Sequence, residues 1–393
     1  MHDVLVVGGG PIGSHIAYRL AGVGYRVAVL EQKGKLGERV CCTGIISPEC
    51  FSSFAIGNDV VLRQANSAKV FSPSDKLIRL WRKENQAFVL DRKAFVIDMA
   101  SRAMGVGAEY ILNSQVTDIK LKDNRVIAEV ARHGEGLKLE ARVVVIATGF
   151  GSSLLEGLGL GRVGDFVIGA QVEVETRGID EIEVYLGREV APGFFAWLVP
   201  ITPTKALVGL LSRRSPDFYL RKLTLSLEAQ GKIVSGEVEP SYRGITLKPP
   251  KRTYGRRLIV VGDAAGQVKP TTGGGIYFGL LSAEIAAHNL KRALEEDDLL
   301  ARSLARDFRV WKKKIGQELN ICYWARKFYE NLSDKQIDRI FDITRSNGID
   351  EALLKANDLS FDWHGKAILR LARQKALSKI FNMVKLPSWI GAD

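Results

Sequence analysis

With 393 residues, 46% of them hydrophobic, the chain has an ordinary globular composition and is long enough for two or three domains. Its four cysteines, Cys41, Cys42, Cys50 and Cys322, are too few for a disulfide scaffold and match no paired zinc-ligand spacing. The formal net charge of +12 admits nucleic acid, an anionic membrane surface or acidic substrates, but no aromatic-interleaved basic stripe accompanies it, so nucleic acid is set aside.

A strand pattern from Asp3 argues against a signal peptide, and no stretch approaches the ~20 apolar residues of a membrane span. The expectation is a cytoplasmic protein whose membrane contact, if any, is peripheral. Residues 4–7 read as a buried strand, followed at once by Gly8-Gly9-Gly10-Pro11-Ile12-Gly13 and a helical pattern through Ile16, Leu20 and Ala21. This is G-x-G-x-x-G in the strand-to-helix context that gives it meaning. Gly8 permits the tight turn, Gly10 lets a pyrophosphate approach the backbone, and Gly13 lets the helix pack against the strand. A second strand, 27–30, ends in Glu31, placed to take the ribose hydroxyls of an adenosine and to repel a 2′-phosphate, which disfavours NADP there.

The loop 37–46, GERVCCTGII, carries adjacent Cys41 and Cys42, read as small buried residues or as lining of a site. Strand-like pieces follow at 68–71 and 77–81. Residues 88–99 read as a strand passing into a helix with Asp91 as N-cap and Arg92 just after it, either a surface arginine or one aimed at phosphate or flavin. Strands are expected at 116–121, 126–131 and 143–146, the last ending at Ala147-Thr148-Gly149. A separate sheet is expected from 168–174, 183–186, 194–200 and 206–210. Its most apolar piece, 191–200, carries Phe195 and Trp197, whose alternation puts both on one face; aromatic strand residues are more often packing than recognition.

The stretch 258–276, LIVVGDAAGQVKPTTGGGI, sets Asp263 at a strand's carboxyl end and three glycines at the start of a helix over 276–294. Such an N-terminus offers free N–H groups and partial positive charge to a phosphate or an anionic ring. Residues 300–332 repeat apolar positions (Leu304, Phe308, Trp311, Ile315, Leu319) at helical spacing and continue in Tyr323, Trp324, Phe328 and Tyr329, an ordinary packed helix or the wall of a greasy tunnel. Residues 366–385 read as a basic amphipathic helix, either solvated or lying on a membrane surface.

GGGPIG, Glu31, Asp91-Arg92, Ala147-Thr148-Gly149 and GDAAGQVKPTTGGGI together resemble the FAD-dependent monooxygenase-like superfamily and, within it, the geranylgeranyl reductases, including the archaeal digeranylgeranylglycerophospholipid reductases and the chlorophyll-pathway enzymes. The family pattern P-x-x-Y-x-W-x-F-P is matched at Pro192, Trp197 and Pro200, with Phe195 for the tyrosine and Val199 for the phenylalanine; the family's R-C-A-E-G is matched around Cys41, Cys42 and Gly44, with Thr43 for the acid. The likeness spans roughly residues 1–300.

The resemblance implies an α/β (α+β overall) chain with a Rossmann-like FAD-binding domain of the p-hydroxybenzoate hydroxylase type, built discontinuously from 1–62, 91–165 and 244–295. An inserted antiparallel-sheet substrate domain comprises 63–90 and 166–243, and a helical C-terminal region comprises 296–393. The resemblance implies FAD contacts at Ile12, Glu31, Cys41, Cys42, Gly44, Arg92, Val116, Asp263, Gly275 and Ile276, to which the glycine motif adds Gly8, Gly10 and Gly13 as cofactor-binding residues; substrate contacts are expected at Phe195 and Trp197. The implied activity is saturation of isoprenoid C=C bonds in a prenylated lipid by reduced FAD, with NAD(P)H, ferredoxin or a similar donor. A flavin-dependent hydroxylase, a quinone-linked dehydrogenase and a ring cyclase of the same architecture stay open, and no residue declares itself as proton donor.

Overall fold

The computed structural model describes residues 1–161, 164–234, 236, 239–346, 348–349 and 360–372. In chain order the elements are β1 (His2–Val7), α1 (Pro11–Ala21), β2 (Val27–Leu30), β3 (Ile45–Ile46), α2 (Pro48–Ser53), β4 (Val61–Ala65), β5 (Ser67–Phe71), β6 (Leu77–Trp81), β7 (Ala87–Leu90) and α3 (Arg92–Gly105). There follow β8 (Glu109–Ile111), β9 (Ser114–Leu121), β10 (Val126–Arg132), β11 (Glu135–Ile146), α4 (Leu154–Gly157), β12 (Phe166–Glu175), β13 (Ile182–Leu186), β14 (Phe195–Pro200), β15 (Lys205–Ser212) and α5 (Pro216–Ala229). The remainder is β16 (Ser241–Thr246), β17 (Tyr254–Gly255), β18 (Leu258–Val260), α6 (Ile276–Glu295), α7 (Ala301–Trp311), α8 (Gln317–Glu330), α9 (Asp334–Ser346) and α10 (Gly365–Ala372).

The chain divides into two compact units. One comprises Met1–Val40, Arg92–Phe166 and Ile245–Gln317; the other comprises the described residues of Cys41–Asp91, Val167–Gly244 and Glu318–Asp393. Residues 41–62, grouped from the sequence with the nucleotide-binding segments, fall in the second unit.

The first unit is built on a sheet of order β17-β18-β11-β1-β2-β8, with β9 and β10 continuing as antiparallel strands from β11. The β1 pairings with β2 and β11, and those of β18 with β11 and β8 with β2, are parallel. Such strands are covered on both faces, which is why they read as unbroken apolar runs. Val4 and Val6 face a core shared with Ile16 and Leu20 of α1 and Ala283 and Leu290 of α6. Leu5 and Val7 face the opposite core, made with Val126, Ala128 and Val130 of β10. The sheet is thus the middle of three layers, and its strand ends carry the turns that matter below.

The second unit holds a seven-stranded sheet of order β16-β12-β15-β14-β13-β5-β6 and a small antiparallel sheet β3-β7-β4. One face of the large sheet, with Ala196, Leu198, Val208 and Leu210, packs under Leu220, Leu223 and Leu227 of α5. The other face meets Phe328, Ile337 and Phe341 of α8 and α9 at its β5–β6 end, through Val70, Ile78 and Leu186. Helices α5 and α9 are absent from the sequence reading although their buried leucines and Ile337/Phe341 recur at three- and four-residue spacing; charged residues between them hide a short apolar stripe.

The helical run expected over 300–332 is present but is broken by one π turn at Lys312–Gly316, which inserts an extra residue per turn. Of the helix expected over 366–385, Gly365–Ala372 is helical and 373–385 lie outside the described residues. Its start is fixed by Glu318, whose Oε1 accepts the N–H groups of His364 at 2.6 Å and Gly365 at 2.8 Å, an acidic cap on two otherwise unsatisfied donors.

Candidate functional site

In the first unit, β1 runs into Gly8 at φ +110°, a left-handed conformation that glycine adopts without strain. A β-carbon there would lie 2.4 Å from the Ala147 carbonyl oxygen, and one on Gly13 would lie 2.0 Å from the Gly8 oxygen. These two glycines are required by the fold's own packing. Gly10 differs: a β-carbon on it would meet nothing within 4 Å, so the missing side chain leaves open space just before the first residue of α1. No side chain caps α1, whose N-cap is Gly10 itself.

Helix α6 begins the same way, with Gly275 as an N-cap and no side-chain cap. The two N-termini meet at Ile12. Its side chain fills the hollows of Gly262 and Gly279, where β-carbons would stand 3.3 and 2.7 Å from it. Two positive helix ends without side-chain caps are thereby brought together, a setting for an anion. Because the Ile12 side chain is spent on this packing, only its backbone remains for a ligand.

Asp263 lies in the turn Gly262–Ala265 after β18, and its Oδ1 sits 2.7 Å from where a Gly275 β-carbon would be, so the carboxylate lies against the α6 N-terminus. Glu31, just past β2, accepts the Gly9 N–H at 2.8 Å and the Lys33 N–H at 2.9 Å, one on each oxygen. An ionised carboxylate has about four acceptor positions, so two remain for hydroxyl donors. Arg92 opens α3 with its guanidinium 5.2 Å over the Phe95 ring, and its buried Nε and Nη1 have no hydrogen-bond partner; the buried Thr148 hydroxyl, beside Gly8, has none either. Buried donors without acceptors are costly, so these fit a site that an acceptor-rich group such as FAD completes.

Val116 is the implied contact whose side chain belongs elsewhere: it is packed into the core with Leu5 and Val7, next to a one-residue register shift between Glu129 and Val130, and only its backbone is left to face a ligand. Lys269, 2% exposed, was passed over in the sequence. Its N–H donates to the Gly274 oxygen and its carbonyl accepts from Gly273, closing the loop between Asp263 and Gly275 into a tight turn. Its position inside GQVKPTTGGG was the available signal.

In the second unit the register of the large sheet aligns Gln171, Gly209, Trp197, Val184 and Val70 as one row across β12, β15, β14, β13 and β5. Opposed residues in such a row share a face. Phe195 and Trp197 lie on that face with ring centroids 5.8 Å apart, and Trp197 packs with Ile45, Val89 and Val199. Gly209 makes room for the indole, since a β-carbon on it would lie 2.5 Å from Trp197 Cζ2. The indole Nε1 is buried without a hydrogen-bond partner.

The cysteine loop lies on the same face. The Thr43 hydroxyl donates to Gln171 Oε1 at 2.8 Å, Ser241 Oγ donates to the Gln171 carbonyl at 3.1 Å, and the Cys41 thiol is bonded to Ser241. Burial pushes the Cys41 thiol up, with the Ser241 bond opposing, so it keeps its proton at neutral pH. Gly44, at φ +76°, turns the loop so that its carbonyl accepts the Leu90 N–H. The loop of Cys41, Cys42 and Gly44 is thus tied through Thr43 to Gln171, which stands two strands from Trp197 in the same row. The Gln171–Thr43 link and Gly209 were missed in the sequence because neither follows from local pattern; both depend on which strand lies beside which.

Among the described residues no group of His, Cys, Asp or Glu could hold a metal ion, and no helix is long and apolar enough to cross a membrane. The family model described as lycopene cyclase protein matches residues 3–343. Digeranylgeranylglycerophospholipid reductase 2 of Methanothermobacter thermautotrophicus is 31% identical over 354 residues, 86% of this chain and 90% of the relative. The crystal structure of a geranylgeranyl bacteriochlorophyll reductase-like protein from Thermoplasma acidophilum superposes with a TM-score of 0.84 at 23% identity, covering 98% of this chain and 99% of the other. A flavoprotein/dehydrogenase from Cytophaga hutchinsonii follows at TM-score 0.73 and 18% identity, covering 97% and 99%. The mixed α/β fold is therefore that of flavoproteins, and the chain belongs to the lycopene cyclase protein family and to the geranylgeranyl reductases.

Proposed function

We propose that this protein is an FAD-dependent reductase that saturates C=C bonds in the geranylgeranyl chains of a prenylated membrane-lipid precursor. The observation that carries the cofactor half is the meeting of two uncapped helix N-termini at Ile12, beside open space at Gly10. In this reading the amides of α1 hold the pyrophosphate, Glu31 holds the adenosine ribose, Arg92 and Thr148 donate to cofactor oxygens, and Asp263 takes the ribitol side. Cys41, Cys42, Gly44 and the Val116 backbone remain proposed cofactor contacts. The amides of Gly275 and Ile276 stabilise negative charge on the reduced ring, as a preorganised helix N-terminus does.

Reduced FAD supplies the hydride. The substrate half rests on family membership and on the face of β14, where the partly buried Phe195 and Trp197 offer an apolar surface to a prenyl chain. An unactivated alkene accepts hydride poorly unless protonation leads or accompanies the transfer, so the role of these side chains is to orient the chain and exclude water from developing positive charge.

The test is to purify the protein, identify the bound yellow cofactor, reduce it chemically, and supply a geranylgeranyl lipid in detergent. Gain of two hydrogens per bond is the expected product change. Under the same conditions unchanged mass would favour a cyclase, and an added oxygen once O2 is admitted to the reduced protein a hydroxylase; loss of hydrogens in a parallel assay with the flavin left oxidised would favour a dehydrogenase. Repeating the assay with NADH, NADPH and reduced ferredoxin identifies the donor.

A further inference from the structure

Helix α5 has two apolar sides. Leu220, Leu223 and Leu227 are buried against the sheet, while on the outer side Phe218 is 61% exposed and Leu225 is 58% exposed, more than any other large hydrophobic of the described residues except Met1. Seven residues apart, they lie two turns along one stripe, with exposed Arg221 and Lys222 between them. Tyr242, 46% exposed, stands beside them, its hydroxyl donating to Asp217 in the first turn of α5. Arg214 is exposed just before the helix. Scattered apolar residues on a surface need no explanation, but an aromatic–aliphatic stripe flanked by cations on one helix does.

From this arrangement we propose that the outer face of α5, with Phe218, Leu225 and Tyr242 inserted and Arg214, Arg221 and Lys222 at headgroup level, docks the protein on an anionic lipid bilayer. A second copy of the chain fits less well. A specific interface buries at least ~1,200 Å² in total, far more than two protruding side chains and a tyrosine supply, whereas shallow insertion of a few apolar groups plus cations suffices for interfacial binding. The chain's net charge of +12 adds to the attraction. Lys222 already pairs with the mostly exposed Glu189 at 2.6 Å, so Arg214 and Arg221 are the more informative cations to change. The proposal rests on the prenyl-lipid reading only in that such a substrate is delivered from a membrane.

Co-sedimentation with vesicles of equal parts phosphatidylglycerol and phosphatidylcholine, and with phosphatidylcholine alone, tests it. The full chain is expected to bind the anionic vesicles more tightly and to release as salt is raised. Phe218→Glu/Leu225→Glu should bind at least ~tenfold more weakly, and Arg214→Glu/Arg221→Glu ~tenfold more weakly to anionic vesicles alone, with unchanged melting and unchanged turnover of detergent-solubilised lipid. Equal vesicle binding by the Phe218/Leu225 variant overturns the proposal, as does a concentration-dependent dimer that this variant abolishes. Absence of turnover by the unmodified protein in detergent would count against the reductase reading and leave the vesicle result to stand by itself.

Discussion

The two units bury their strands differently, and the difference sorts their chemistry. In the first, β1 is buried on both faces, so its side chains are consumed by two cores and what is left to meet a ligand is backbone: turns, helix N-termini and the absence of β-carbons. In the second, β14 buries Ala196 and Leu198 under α5 and turns Phe195 and Trp197 to the opposite face. A cofactor site made of missing side chains announces itself in sequence as glycine. A substrate surface made of side chains does not, because the same residues elsewhere would be ordinary core.

The glycines offer the sharpest way to break this contrast, because they divide into those the fold needs and those the ligand needs. Gly13→Ala sets a β-carbon 2.0 Å from a backbone oxygen that cannot move aside; a loss of at least ~4 kcal/mol is expected, read as failure to recover folded protein or as a collapsed urea midpoint. Gly10→Val, at φ −71° and with no atom within 4 Å of its β-carbon, should fold, losing only about 1 kcal/mol at the N-cap. Its flavin content should nevertheless fall to roughly a tenth or less, about 1.4 kcal/mol in binding. A folded Gly10→Val protein with full flavin absorbance would remove the turn from the cofactor site.

On the substrate side the expected effect is on turnover. Trp197→Ala should lower reduction of a geranylgeranyl lipid by ~100-fold through misplacement of the alkene, with the flavin spectrum intact. Gly209→Ala pushes a methyl to within 2.5 Å of the same indole and to 2.8 Å of the Ala170 oxygen, and should cost turnover about tenfold. If both act through the indole's seat, the double variant should be no slower than Trp197→Ala alone; additive losses would separate them. Unchanged turnover in Trp197→Ala would return the residue to packing.

How much of this was legible follows the same division. The strand ending at Glu31, the turn at Gly8 to Gly13 and the Asp263-to-Gly275 loop were readable because each is local: strand, turn and helix are contiguous, and the motif's meaning lies in that succession. Phe195 and Trp197 were correctly set on one face by period two. That the Cys41 loop lies over Gln171 rests on Thr43 and Gln171, which are 128 residues apart in the chain, and that Gly209 seats an indole rests on the register of the β14–β15 hairpin, which sets Gly209 opposite Trp197 and which no local pattern dictates. Helix α5 escaped for both reasons its sequence offers: charged residues break up the stripe of buried leucines, and the outer Phe218 and Leu225 blur its polar face.

The smallest expected effect concerns what holds α1 and α6 side by side so that their N-termini meet. One turn from the N-terminus of α1, His15 Nε2 lies 2.9 Å from Glu284 Oε2 of α6, and Arg19 pairs with the other oxygen. The His15 hydrogen bond, with Arg19 and His288 adding positive charge and burial opposing, holds the Glu284 carboxyl below the usual carboxylate value. A carboxylate whose pKa is lower folded than unfolded adds stability that is fully present above its unfolded pKa and fades as pH falls through the folded one. Glu284→Gln should therefore cost at neutral pH, by about 1 kcal/mol or less because a third of the side chain is exposed and screened. The gap between the two proteins in urea midpoint should close as pH drops from about 4.3 through the depressed pKa of Glu284. A gap that persists at low pH would mean that shape rather than charge at Glu284 keeps the two helices together, and the convergence at Ile12 would then rest on the Gly262 and Gly279 hollows alone.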